Sequence, residues 1–140
     1  MAAANVLALP LAHVVFEVAN NEVWVDSLRY VVTESGSSPE PEPERLASAR
    51  PQLDLRGIAF EMQLRRRPQD NEVVLQGGTS DGMLSVGAAP NWGHLIWYVP
   101  EVMMRRIWPG QYVGDVRASN ARFERVCLTL DVTILEGITR

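Results

Sequence analysis

The stretch at residues 100–116, PEVMMRRIWPGQYVGDV, decides how the rest of the chain is read. In its first half Val102, Met103, Arg106 and Ile107 lie at helical spacing, Pro109-Gly110 ends the helix, and from Gln111 the pattern is extended. One helical turn, near 101–107, therefore bridges two strands. In a β-sandwich such a corner carries the chain from one sheet to the other, and a tyrosine just inside the second strand bonds back to the backbone before it. Tyr112 is placed for that role, with Gly110 and Asp115 as the other structural residues of the corner. The reading predicts a buried Tyr112 whose hydroxyl is bonded to the preceding turn.

Working outward, residues 111–117 continue as a strand, 118–120 make a turn, and a long final strand follows. In it Val126, Leu128, Leu130, Val132 and Ile134 alternate with Arg125, Cys127, Thr129, Asp131 and Thr133, which places Cys127 on the polar side. Upstream, HLIWYV (94–99) is apolar on both faces, so it is central in a sheet or faces an interface. Gly77-Gly78 and Asp81-Gly82 bracket a turn before a short strand at 83–86. Ile58, Phe60, Met62 and Leu64 alternate with polar residues, and the turn at 68–71 joins this strand to another at 72–76. HVVFEV (13–18) reads as a first strand and 27–33 as a second, the residues just before 27 being compatible with strand or short helix.

Residues 34–54 differ in kind: they hold four of the nine prolines and a Pro-Glu repeat from 39 to 44. Proline removes backbone donors and the glutamates repel one another, so an extended polyproline-like arm or a flexible loop is expected here. Short strands with turn signals between them and a single helical turn predict an all-β fold, a sandwich of about seven to eight short antiparallel strands in one domain, 1–140, preceded by an N-terminal arm at 1–12.

The composition excludes several functions. The formal net charge of −4 gives no general attraction to nucleic acid or to an anionic membrane. All 13 basic residues are arginine, which removes lysine Schiff-base chemistry and a phosphate loop that needs its lysine. One cysteine allows no internal disulfide, so a reducing compartment is expected. No segment approaches the roughly 20 apolar residues of a membrane helix. The apolar start lacks a basic region and runs into strand-like sequence, so it is not read as a signal peptide.

No motif carries catalysis. His13 and His94 have no second ligand at metal spacing, Cys127 has no adjacent histidine, and nothing brings two of Asp70, Asp81, Asp115 and Asp131 to working separation. No enzyme, cofactor or metal is expected. The residues left over suit contacts between proteins: Arg65, Arg66, Arg67, Arg105 and Arg106 for carboxylates, and Trp92, Trp97, Tyr98 and Trp108 for aromatic anchoring. A solvated strand end for the arginines, and a core role for the aromatics, are the alternatives. A carbohydrate-binding module, with Trp92, Trp97 or Trp108 stacked on sugar rings, is the competing class.

From Leu53 onward the chain resembles a known family. Asp54-Leu55-Arg56-Gly57, the strand at 60–65, GQYVGDV (110–116) and EGITR (136–140) are similar to small virion proteins of tailed phages and prophages, akin to the N-terminal domain family of the phage baseplate upper protein. NNEVWVDSLRYVV is similar to that family's first strands. The resemblance implies an immunoglobulin-like β-sandwich without catalytic activity, assembled in the host bacterial cytoplasm into a virion. It would be a homo-oligomeric tail or baseplate adaptor bound to other virion proteins, or a capsid decoration protein whose acidic arm reaches a neighbour. Arg56 replaces the family's usual threonine, and the Pro-Glu segment is an insertion.

Overall fold

The computed structural model describes Leu9 and residues 11–32, 39–43 and 53–138. Most of the expected N-terminal arm, residue 33 of the expected second strand, and residues 34–38 and 44–52 of the insertion lie outside the described residues. The elements in chain order are β1 (Ala12–Ala19), β2 (Trp24–Val32), β3 (Pro39–Pro43), β4 (Ala59–Arg65), β5 (Leu75–Gly78), β6 (Leu84–Val86), β7 (His94–Val99), α1 (Glu101–Met104), β8 (Gly110–Ser119) and β9 (Glu124–Leu135). They make an all-β fold of two sheets, one ordered β1-β9-β8-β4-β5 and the other β3-β2-β7-β6.

The period-two pattern explains how the sheets share one core. β9 buries Leu128, Leu130, Val132 and Ile134, β8 buries Tyr112, Val116 and Ala118, and β4 buries Phe60, Met62 and Leu64. Against them lie Trp24, Leu28 and Tyr30 of β2 and Leu95, Trp97 and Val99 of β7, all in the same apolar cluster. Phe16 of β1 bridges the sheets: its ring centroid is 5.3 Å from those of both Trp24 and Trp97. Trp97 also donates its indole N–H to the Met62 sulfur at 3.2 Å, so the ring is held from both sides. Each fully buried large apolar side chain of this kind contributes about 1.5–3 kcal/mol relative to exposure.

Four expectations are corrected. The pairing is not all antiparallel, because β1 runs parallel to β9 from Ala12↔Leu128 to Ala19↔Leu135; alternation records which face is buried and carries no information about partner or direction. Residues 39–43 are not a free arm but β3, antiparallel to β2 with Arg29↔Glu42 and Val31↔Glu40 in register. Gly77-Gly78 belong to β5 rather than to a turn. A Cβ at Gly78 would stand 2.3 Å from the Phe60 carbonyl oxygen, so the backbones approach where only glycine fits. Finally, Cys127 is buried: a bulge opposite Val116/Arg117 inserts it between Val126 and Leu128 and breaks the alternation. Its thiol donates to the Val116 carbonyl at 3.4 Å.

Candidate interface at the helical corner

The corner is built as its sequence requires. Pro100 leads into α1, Glu101 and Arg105 close an i,i+4 ion pair at 2.6 Å on its outer side, and Met104 and Ile107 plug the core beneath. Pro109 stops the turn and Gly110 takes φ +151°, a backbone conformation that disfavours any Cβ. Two residues later the buried Tyr112 hydroxyl donates to the Trp108 carbonyl at 2.5 Å. The predicted tyrosine corner is therefore present. Asn20, just past the end of β1, completes it: its amide donates to the Ile107 carbonyl at 3.2 Å and its oxygen accepts from the Gly137 N–H at 3.0 Å. These partners lie far apart in the chain, so only the folded structure could reveal them.

With its backbone pinned on both sides, the corner holds Trp108 outward, 75% exposed, with Val102 at 60% on α1. A cleft of about 400 Å³ lies between the corner and the β4–β5 turn, lined by Arg66, Arg67, Asp70, Pro109, Gly110, Gln111 and Tyr112. The Arg66 guanidinium lies 6.0 Å from the centre of the Tyr112 ring, and Arg67 is paired with Asp70 at 3.1 Å. On the other flank a smaller cleft of about 140 Å³ is lined by Asn20, Asn21, Arg105, Glu136 and Gly137. Among the described residues neither Arg66 nor Arg106 is in an ion pair. The arrangement is an exposed aromatic side chain adjoining a cleft that carries Arg66 and Arg67, suited to a surface that offers an apolar pocket with carboxylates near it.

The other expected contact residues are distributed differently. Trp97 is a core residue and cannot meet a partner. Trp92 is half-buried, with the Arg56 guanidinium 3.6 Å above its ring. That guanidinium also holds both carboxylate oxygens of Asp54, at 2.6–3.1 Å, across a turn in which Gly57 has φ +85°. The Arg56 hydrogen bonds hold the Asp54 carboxyl below its ordinary range. Arg56 thus makes a latch between Asp54, at the start of its turn, and Trp92 in the loop before β7. Tyr98 is exposed on the outer face of the four-stranded sheet, in register with exposed Val25, a separate apolar pair away from the corner. Arg65 is half-buried and bonds Gln63. Asp115 is not at the corner; it lies midway along β8 between Gln63 and Thr129.

No protein-family model matches the chain, and no curated protein matches it. Among the described residues no three His, Cys, Asp or Glu side chains gather as a metal site, and no helix is long and apolar enough to cross a membrane. His13 lies on the outer face of the five-stranded sheet, bonded to Thr129 at 2.8 Å and Asp131 at 2.9 Å. Cys127 is sealed beside Tyr30; burial pushes its thiol up to about 11, and burial and the neighbouring thiol push the Tyr30 phenol far above its ordinary value. A thiol that stays protonated is a poor nucleophile.

Proposed function

We propose that this chain is a non-enzymatic structural protein of a tailed-phage virion, an immunoglobulin-like β-sandwich acting as a tail or baseplate adaptor through contacts with other virion proteins. One observation carries the contact reading: Trp108, exposed on a corner whose backbone is fixed by Tyr112 and Asn20, next in the chain to a cleft lined by Arg66 and Arg67. A rigid aromatic loses little entropy on docking, and the arginines of the adjoining cleft favour an acidic partner surface. The virion assignment rests on the resemblance of the DLRG turn, the corner and the final strand to the phage family. The decoration-protein variant is weakened, because residues 39–43 pair with β2 of the same chain rather than extending away.

The test is to purify particles from a host lysate that expresses the chain and to locate it by labelled-antibody electron microscopy. Label at the tail or baseplate, lost in Trp108→Ala, supports the reading. Label on the capsid shifts it to decoration, and absence from particles overturns it. Exposed Trp108 also favours a second reading, a carbohydrate-binding module. In that case its fluorescence shifts on addition of host glycans, and Trp108→Ala abolishes the shift.

A further inference from the structure

Two sheets have four edges, and three of these are poor templates for another strand. β5 and β6 are only four and three residues long. β3 reads PEPEP, and because proline has no N–H the donors of the β2 ladder must come from Glu40 and Glu42. The alternate positions, Pro39, Pro41 and Pro43, then leave an outer edge without donors. β1 is different: eight residues, AHVVFEVA, with no proline and no lysine, bonded among the described residues to β9 alone. Edges of this length are normally covered, and among the described residues no strand covers this one.

The direction of its free groups can be read from the ladder. Asn20 donates its N–H to Leu135, and Ala19 is in register with Leu135. In a parallel pair the residues flanking a registered position make the bonds, so the even-numbered residues of β1 face β9. His13, Val15, Glu17 and Ala19 therefore point their N–H and C=O groups away from the sheet. Val15, at the middle of the strand, is 68% exposed, and Leu11 just before the strand is 60% exposed.

We propose that β1 pairs antiparallel with β1 of a second copy of this chain, about a two-fold axis at Val15, fusing two five-stranded sheets into one continuous sheet. An antiparallel pair of identical edges is the self-complementary arrangement that closes as a dimer. This axis places Val15 against Val15 and Leu11 against Ala19. It also sets His13, the only residue of β1 able to carry positive charge, opposite Glu17. Moving the axis by one residue brings a polar group against Val15, and moving it by two brings His13 against itself or Glu17 against itself. The pattern thus favours the register centred on Val15, in which Glu17 meets the His13 ring that Thr129 and Asp131 of its own chain hold at 2.8 and 2.9 Å. The inference does not rest on the virion reading, since Trp108 takes no part in it.

The full chain should sediment as a dimer that dissociates on dilution. Amide hydrogen exchange at His13, Val15 and Glu17 should be slow in the dimer and fast in the monomer. Val15→Pro removes an outward N–H without touching the β9 ladder, so it should abolish the dimer while circular dichroism stays unchanged. Glu17→Arg should weaken association by about tenfold, a loss of about 1.4 kcal/mol. A chain that is monomeric at all concentrations overturns the proposal. So does a dimer that survives Val15→Pro, or protection of these amides in the monomer, which would mean that the chain's own residues cover the edge.

Discussion

Trp97 and Trp108 stand eleven positions apart in one aromatic-rich stretch, yet the fold treats them in opposite ways. Trp97 faces inward from β7, touches Phe16 and Met62, and has no exposed surface; Trp108 rides on the corner with most of its ring in water. One holds the two sheets together and the other extends from them. What separates them is backbone geometry. A strand residue alternates strictly between core and solvent, whereas a residue in a proline-terminated turn points where the turn aims it. Exposure of a large aromatic at a rigid place, with nothing in the fold requiring it, is what makes Trp108 the stronger candidate for function.

That contrast can be broken by mutation, and the largest effect belongs to the core. Trp97→Ala should cost about 3–5 kcal/mol in urea unfolding, because neither Phe16 nor Met62 can fill the space left behind. A loss below about 1 kcal/mol would mean that Trp97 is not part of the core. At the corner, Tyr112→Phe should cost about 1 kcal/mol by removing the bond to the Trp108 carbonyl while leaving the ring in place. Its nuclear magnetic resonance signature should be a change of environment at residues 107–110 with the sheets unaffected.

A third effect should be confined to alkaline solution. The Cys127 thiol has its pKa raised from 9.0 to about 11 in the folded chain, so the unfolded state gives up this proton first. The stabilisation is fully present below pH 9 and is lost as the pH climbs toward 11; the raised Tyr30 phenol adds a loss of the same sign. Cys127→Ala should remove the thiol part of that slope and leave the larger, burial-driven share of the tyrosine part, measured as the urea midpoint against pH. Smallest of all, Trp108→Ala should shift stability by no more than about 0.5 kcal/mol. A substantially larger change would show that Trp108 supports the fold rather than a contact.

Much of the architecture was legible before any coordinates. Alternation at 58–64 and 126–134 marked β4 and β9, and the pair Pro109-Gly110 followed by Tyr112 announced the corner and its hydrogen bond. Residues 39–43 were misread because the proline repeat argues against a ladder; an edge strand needs donors only at alternate residues, and Glu40 and Glu42 supply them. Cys127 departs from its expected face because it is the extra residue of a bulge, which alternation cannot show, while the parity from Leu128 to Ile134 holds beyond it. Of the candidate interface, the arginines and Trp108 were visible as residue types, but nothing local joined the Arg66-Arg67 turn to the corner, or Asn20 to Ile107 and Gly137.

By itself, then, the amino-acid order determined which residues alternate, where the chain must turn, and that a tyrosine would brace the corner, since these depend on backbone sterics and hydrophobic period within a few residues. Which strands pair, that β1 joins β9 in parallel, which tryptophan is buried and which protrudes, and which strand lies at each sheet edge were decided only by the tertiary structure. Each of those outcomes depends on contacts between segments distant in the chain, whose free energy has no local signature.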